Sequence, residues 1–304
     1  MHWVGDDALF IASENEQIPD IKTLRVETQL TDEQKDQLLA LKQAPKLDYT
    51  SFEHANQLTF QVADLTPEHL SFVGGKAANL GFLLRSLPDH APQEAIAFSF
   101  DLWTEFMAQT MSSGLTLKEM IAIELNALKF PVEDPAHFSL RLRAIRTWIK
   151  DEASFSVYQQ QKIIQALEPL DANRRIRFRS STNVEDSEYF SGAGLYDSFS
   201  GYLADEQDQD DEGPSACDST KKNERGVFRA IQKVFASFYN ENAFIERLRR
   251  GVNEDEVGMA ILAHYSFPDQ MERANGVATL KLEQREDGTL ELIEGTLVTQ
   301  KDAV

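Results

Sequence analysis

Residues 174–181 read RRIRFRSS, a segment in which arginine alternates with a large apolar residue. Successive side chains of a β-strand point to opposite faces of its sheet, so Arg175, Arg177 and Arg179 share one face. Ile176 and Phe178 share the other face, which suits a packed core. The segment therefore predicts a strand with one apolar side and one strongly cationic side.

The cationic side of this strand has two interpretations. Guanidinium groups match phosphate oxygens in a bidentate way, which favours a phosphate-binding site. The alternative is pairing with carboxylates, because the chain has 50 acidic and 30 basic residues and a formal net charge of −20. Judged from the strand alone, the two interpretations carry equal weight.

The segment that follows the strand favours the phosphate-binding interpretation. It reads RSSTNVEDSEYFSGAGLYDS and places hydroxyl groups at Ser180 and Ser181 and glycines at Gly192 and Gly194. Hydroxyl groups can donate hydrogen bonds to phosphate oxygens, and glycines let backbone N–H groups approach an anion closely. Taken alone, a glycine loop of this kind is more often a simple turn.

A second motif, VGGK at residues 73–76, comes before an apolar-faced helix earlier in the chain. A glycine pair at a helix N-terminus leaves backbone donors open to an anion, and Lys76 adds a mobile cation. The motif is not a Walker A loop, because Leu70 stands at the position of its first glycine and Ala77 at that of its Ser or Thr. The alternative is an ordinary glycine turn with a surface lysine.

The order of elements predicts an α+β fold. Helical patterns come first and strand-like segments close the chain, as is typical of a two-lobed α+β domain. Residues 1–57 are predicted to form a small N-terminal extension or the remnant of an upstream domain, and residues 58–304 the main domain. The acidic stretch 205–224 cannot bury enough apolar surface to order itself and is predicted to be a disordered, exposed loop.

Composition argues against several classes of function. A polyanion would be repelled by a net charge of −20, so nucleic-acid binding is not expected. No apolar run reaches the roughly 18–20 residues needed to span a bilayer. The single cysteine, Cys217, cannot form an internal disulfide, which fits a reducing compartment. We expect a cytoplasmic protein with neither nucleic-acid nor membrane partners.

Five segments, taken in order, resemble one known family: FVGGKAANLGFLL, FRSSTNVEDSEYFSGAGLYDS, FRAIQKVFASFYNENAFIERL, GMAILAHYSF and ANGVATL. They are similar to the PEP/pyruvate-binding domain of pyruvate phosphate dikinases and phosphoenolpyruvate synthases, over about residues 58–304. DLTPEHLSFVGGKAANL and SGAGLYDS also resemble segments of plant glucan, water dikinases. The resemblance implies a nucleotide-binding domain of the ATP-grasp fold.

The resemblance also implies roles for individual residues. Lys76 matches the family's nucleotide-contacting lysine and Arg179 its phosphate-holding arginine, which makes these two the candidate catalytic residues. Residues 263–265 match a strand whose backbone meets the adenine, and the family often has glutamine where His264 stands. Beyond Lys76 and Arg179, the candidate nucleotide-binding residues are Arg177, Ser180, Ser181, Gly192, Gly194, Ala263, His264 and Tyr265.

The candidate metal site departs from the family pattern. The family carries acidic metal ligands near the end of this domain, in a region like Glu-Ala-x-x-Gly-Leu-Gly-Glu. Here the sequence reads LELIEGTLVTQKDAV, with Thr296 at the position of the last glutamate. Glu291 and Glu294 are the candidate replacements as metal ligands.

The activity that the resemblance implies is that of an ATP-dependent phosphotransferase. Family members use Mg²⁺ to transfer the β-phosphoryl group of ATP to a histidine on a separate swivelling domain, with release of AMP and phosphate. None of the six histidines here is assigned as that carrier, because their spacing shows no cluster. We expect an ATP-binding part, incomplete without its histidine domain in cis or in trans. The alternative, which Thr296 favours, is a non-catalytic nucleotide sensor or scaffold with the same fold.

Overall fold

The computed structural model of this chain describes residues 2–3, 8–12, 21–25, 31–42, 46–86, 94–185, 194–208, 213–267, 274–284 and 290–300. Its helices are α1 (Asp32–Lys42), α2 (Leu70–Ser86), α3 (Phe100–Met107), α4 (Leu117–Asn126), α5 (Pro135–Thr147), α6 (Val157–Leu167), α7 (Val227–Ser237) and α8 (Glu241–Arg249). Its strands are β1 (His2–Trp3), β2 (Ala8–Ala12), β3 (Ile21–Arg25), β4 (Thr59–Gln61), β5 (Ala95–Phe98), β6 (Ile176–Thr182), β7 (Phe199–Gly201), β8 (Met259–Tyr265), β9 (Asn275–Gln284) and β10 (Leu290–Gln300). This is the α+β composition that the sequence predicts.

The main sheet has five strands in the order β4-β5-β8-β6-β7, and every neighbouring pair is antiparallel. Its middle strand, β8, pairs with β6 along its whole length, from Met259 opposite Thr182 to Tyr265 opposite Ile176. The arginine-rich segment of the sequence is therefore β6, an interior strand next to the centre of the sheet.

Each face of the main sheet packs against its own apolar cluster. Phe98, Phe178 and Ile261 belong to the larger cluster, which also contains buried residues from α3 to α8. Their strand neighbours Ala97 and Leu262 belong to a smaller cluster with residues of α2. Adjacent residues of a strand point to opposite faces, so α2 covers one face of the sheet and the remaining helices of the main core cover the other.

The alternation in β6 decides which face is cationic. Ile176 and Phe178 are fully buried in the larger cluster, as the sequence predicts. Arg179 lies opposite Leu262 of the α2-side cluster, and Arg177 lies opposite His264. The arginines therefore point to the face that α2 partly covers.

The segment 46–57 packs against the main domain. Leu47 is buried in the larger cluster, and the carbonyl oxygen of Thr50 accepts a hydrogen bond of 2.7 Å from Asn183 Nδ2. The hydroxyl of Tyr49 donates to the Glu256 carboxylate at 2.8 Å. Residues 47–50 therefore contact the main domain, and the expected boundary at residue 58 stays a prediction.

The acidic stretch 205–224 contains ordered contacts that its composition did not suggest. Asp205 is buried, and its carboxylate accepts hydrogen bonds from the backbone N–H groups of Ala216, at 3.0 Å, and Arg225, at 2.9 Å. The buried carboxylate therefore joins residue 205 to residues 216 and 225, and disorder of the stretch stays a prediction. Residues 209–212 lie outside the described residues.

Two smaller sheets lie outside the main sheet. β1, β2 and β3 form a three-stranded sheet, and β9 and β10 form an antiparallel pair with a register shift between Leu292 and Glu294. Among the helices of the described ranges, none combines the length and apolarity that a bilayer crossing requires.

Candidate functional site

The break inside α2 fixes that helix to the end of β6. Gly74 has φ 76° and ψ 170°, a conformation that is essentially restricted to glycine, and it divides α2 into two helical parts. A Cβ atom at this position would overlap the backbone carbonyl of Ser181. The glycine pair of the sequence motif therefore permits a close approach of two backbones, and the longer part of α2 begins at that contact.

Ser181 completes this junction. Its hydroxyl donates to the carbonyl oxygen of Val73 at 2.7 Å and accepts from the N–H of Ala77 at 3.0 Å. The residue is fully buried, and its only hydroxyl hydrogen is used. In this arrangement the Ser181 hydroxyl links β6 to α2, and its expected role in phosphate binding stays a prediction.

Lys76 lies in the first turn after the break and reaches the end of β6. Its Nζ donates to Ser180 Oγ at 3.2 Å and forms an ion pair with the Glu185 carboxylate. The Glu185 side chain is 2% exposed, whereas that of Lys76 is 32% exposed. The lysine side chain is thus partly exposed, whereas its counterion is buried.

Arg179 precedes Ser180 and turns towards β8. Its Nε donates to Nε2 of His264 at 3.0 Å, and Nδ1 of the same ring lies 2.7 Å from the Tyr265 carbonyl oxygen. A carbonyl oxygen only accepts, so Nδ1 carries the proton and Nε2 is the acceptor for arginine. His264 therefore acts as a neutral ring that orients the guanidinium group of Arg179.

Electrostatics supports this assignment. Burial lowers the pKa of His264 below its ordinary value, and the nearby charges of Arg179 and Arg177 lower it further. Burial also lowers the pKa of Arg177, with added repulsion from Arg179 and Arg175, and burial lowers that of Arg179. Mutual repulsion of this kind is expected where cations cluster without enough counterions.

The carboxylate-pairing interpretation of the arginine row fails for two of its members. Within the described parts of the chain, neither Arg177 nor Arg179 has a carboxylate partner; Arg177 donates only to Ser200 Oγ, at 3.4 Å. Arg177 lines a cleft beside β7, whereas Lys76, Arg179 and Ser180 do not line it. The structure thus brings Lys76 to Ser180, which follows Arg179 along β6, and places Arg177 at a neighbouring cavity.

Only the end of the glycine loop lies within the described residues. Gly192 lies outside the described residues, and Gly194 has φ 79° with open space around it. The segment after Gly194 is held by residues that sequence reasoning missed. Asn240 Nδ2 donates to the Leu195 carbonyl at 3.2 Å, and Tyr196 stacks on Phe238 with ring centroids 5.9 Å apart.

A buried arginine supports the same segment. Arg247 is fully buried, donates to the Tyr196 hydroxyl at 3.3 Å, and forms an ion pair with Glu254 at 2.7 Å. Its guanidinium carbon lies 3.8 Å from the centroid of the Phe238 ring. The contact with Tyr196 joins segments 51 residues apart along the chain, so no sequence motif marks it.

The candidate adenine residues 263–265 form the end of β8. Ala263 is buried in the core between Ile96 and Phe178. Beyond His264, which lies opposite Ala95, β8 has no further pairing with β5 in the described residues. On the side of β5, the backbone of β8 that is left unpaired in the described residues therefore begins at Tyr265. The Tyr265 ring stacks on Arg174, whose guanidinium carbon lies 3.8 Å from the ring centroid.

The candidate metal ligands lie on β10. Glu291 is opposite Glu283 and Glu294 is opposite Lys281, because the register shift adds one residue between them. The partners Glu283 and Lys281 are two residues apart, so positions 291 and 294 share one face of the strand pair. Carboxylates are suitable donors for Mg²⁺. Lys281, opposite Glu294, is a cation that would compete with Mg²⁺ for the Glu294 carboxylate.

Cations and hydroxyl groups gathered at the end of an antiparallel strand, beside a helix that starts at a glycine, are typical of domains that bind phosphate groups. A comparison with family models identifies the family of domains to which the chain belongs. Residues 70–279 match the model of the pyruvate phosphate dikinase AMP/ATP-binding domain, and the chain belongs to that family. The family fold is ATP-grasp-like, and membership supports ATP binding in a dikinase-type protein. A search of curated proteins finds no match.

Proposed function

We propose that this chain is the ATP-binding part of a cytoplasmic dikinase-type phosphotransferase. It passes a phosphoryl group from ATP to a histidine on a swivelling domain, in cis or in trans, with release of AMP and phosphate. The observation that carries the proposal is the contact of Lys76 with Ser180, the residue that follows Arg179 in β6. Family membership supports the nucleotide.

Phosphoryl transfer needs positioning and charge neutralisation more than a protein nucleophile. In this proposal Arg179, held by His264, and Lys76, released from Glu185, contact the phosphate oxygens. Glu185, no longer paired with Lys76, then lies beside the bound polyphosphate. The backbone after Gly194 covers the phosphates from the other side.

In this proposal, Glu291 and Glu294 would be the ligands of Mg²⁺. Their positions on one face of β10 and their carboxylate chemistry fit a hard divalent cation. When bound with ATP, the ion would neutralise charge on the phosphate oxygens. Lys281 on the facing strand reduces the fit, and Thr296 supplies no charge where the family has a glutamate.

The direct test of the activity is AMP formation. The chain is mixed with ATP, MgCl₂ and a histidine domain of a dikinase, and AMP and phosphohistidine are measured. We expect both products with the unaltered chain and neither with Arg179→Ala. Lys118→Ala is the control, because it removes a surface lysine of α4 that lies outside the site.

The alternative is a nucleotide sensor or scaffold, which the neutral Thr296 favours. It predicts ATP binding without AMP in the same assay, even with an excess of histidine domain. Repeating the assay with Thr296→Glu separates the two. If AMP appears only in that variant, the natural chain is a binding module and the catalytic proposal is wrong.

A further inference from the structure

A cleft of about 720 Å³ opens beside β7, and none of the functions above uses it. Its walls come from the start of β6, from β7, from the segment 218–226 and from the first turns of α7. Seven cationic and two acidic side chains line it. In a chain with a net charge of −20, so dense a group of cations requires an explanation.

Several of these cations have no carboxylate to neutralise them. Within the described residues, Lys233 and Lys222 form no ion pair, and Arg177 has only the Ser200 contact. The ammonium group of Lys233 lies 5.7 Å from the centroid of the Phe199 ring. Arg229 is an exception, since it pairs with Asp151 at 2.6 Å.

Cations repel one another on two walls of the cleft. Burial lowers the pKa of Lys233, and Arg229, Arg225 and Lys150 lower it further by repulsion, against a smaller opposing effect of Asp151. On the other wall, Arg177 is repelled by Arg179 and Arg175. Repulsion between cations that stay close together would be relieved by an anion between the walls.

The start of α7 is not itself the anion site. The N–H of Phe228 in its first turn donates to the Glu206 carboxylate at 2.7 Å. The attraction of an anion to the cleft therefore depends on the cationic side chains that line it. Phe199 is the only aromatic residue among the lining residues, which leaves little flat apolar surface for a nucleobase.

We propose that this cleft binds a small polyphosphate-type anion, with two or more linked phosphate groups, at a site separate from the nucleotide. Its volume lies within the range of small-molecule sites, about 300–1,000 Å³. Arg177 and Arg175 contact the anion from β6, and Lys222, Arg225 and Lys233 contact it from the opposite wall. The arginine row of β6 thus serves two sites, one at each end.

Calorimetric titration of the full chain with sodium pyrophosphate tests the proposal, with inorganic phosphate and tripolyphosphate as parallel ligands. We expect one site, tighter binding for the longer anions, and weaker binding as salt is added. Lys222→Glu and Lys233→Gln should each raise the Kd of pyrophosphate about tenfold, as expected when one charged contact is lost. Lys162→Glu on α6 is the matched control and should leave it unchanged.

The titration is repeated with saturating ATP and in the Lys76→Ala chain. Binding that persists in both arms supports a separate site, whether or not the nucleotide proposal holds. The proposal is overturned if pyrophosphate gives no heat, if the control weakens binding as much as Lys222→Glu does, or if ATP abolishes binding.

Discussion

Arg179 is held in place by a ring that must stay neutral. Nε2 of His264 accepts from its guanidinium at 3.0 Å, and Nδ1 is committed to the Tyr265 carbonyl. Protonation of the ring would replace an acceptor with a donor and add a charge beside Arg177 and Arg179. His264 is thus a positioning residue for Arg179, the arginine proposed to bind phosphate.

This arrangement predicts a pH dependence. The pKa of His264 is lowered in the folded chain from its ordinary value of 6.5, so the unfolded chain binds a proton first as the pH falls. Its contribution to stability is therefore complete above pH 6.5 and is lost as the pH falls below that value. Urea unfolding at a series of pH values should show a steeper loss for the unaltered chain than for His264→Gln, which keeps an acceptor and does not titrate. Equal slopes would contradict this role.

At the residue scale, the sequence predicted candidate side chains but not their contacts. Lys76 and Arg179 were selected by their charge and by the family resemblance; Arg179 lies on β6, and Lys76 contacts Ser180, the next residue of that strand. Ser181 was expected to bind phosphate, but its hydroxyl joins two backbones, and a hydroxyl suits either task. The partners Glu185 and His264 could not be predicted, because each is set by contacts between segments far apart in the chain.

At the scale of elements, the junction between α2 and β6 determines where Lys76 can reach. The alternation of arginine and apolar residues predicted β6 closely, and the observed strand is Ile176–Thr182. The glycine pair was expected to open a helix, and the longer part of α2 does begin after the non-helical residue Gly74. The same glycine also allows the close approach of two backbones at Ser181.

Gly74→Ala should destabilise the chain more than an ordinary turn glycine does. The substitution adds a Cβ that overlaps the Ser181 carbonyl, in a backbone conformation that side chains avoid, and we expect a loss of about 3 kcal/mol in the free energy of unfolding. Gly114→Ala is the control, since Gly114 has φ 83° with open space around it and should cost only about 1–2 kcal/mol. Similar losses for the two variants in urea unfolding would show that the α2–β6 contact is not tight.

Over the whole molecule, net charge conceals the distribution of charge. A value of −20 argued against a polyanion partner, yet seven cations line one cleft and the cationic side of β6 lies nearby. Composition is an average, and the fold brings these groups together from β6, the segment 218–226 and α7. The fold class followed from the order of helices and strands, whereas the proposed division of the arginine row between two sites depends on contacts between distant segments that the sequence does not display.

The central claim is that Lys76 and Arg179 act on the same polyphosphate. A double-mutant cycle of Lys76→Ala and Arg179→Ala, read as the Kd of MgATP by calorimetry, tests it most directly. We expect each single variant to raise the Kd at least about tenfold, and the double variant to depart from additivity by about 0.5 kcal/mol or more, as for groups that share a partner. An unchanged Kd in either single variant, with Lys118→Ala also unchanged, would contradict the claim.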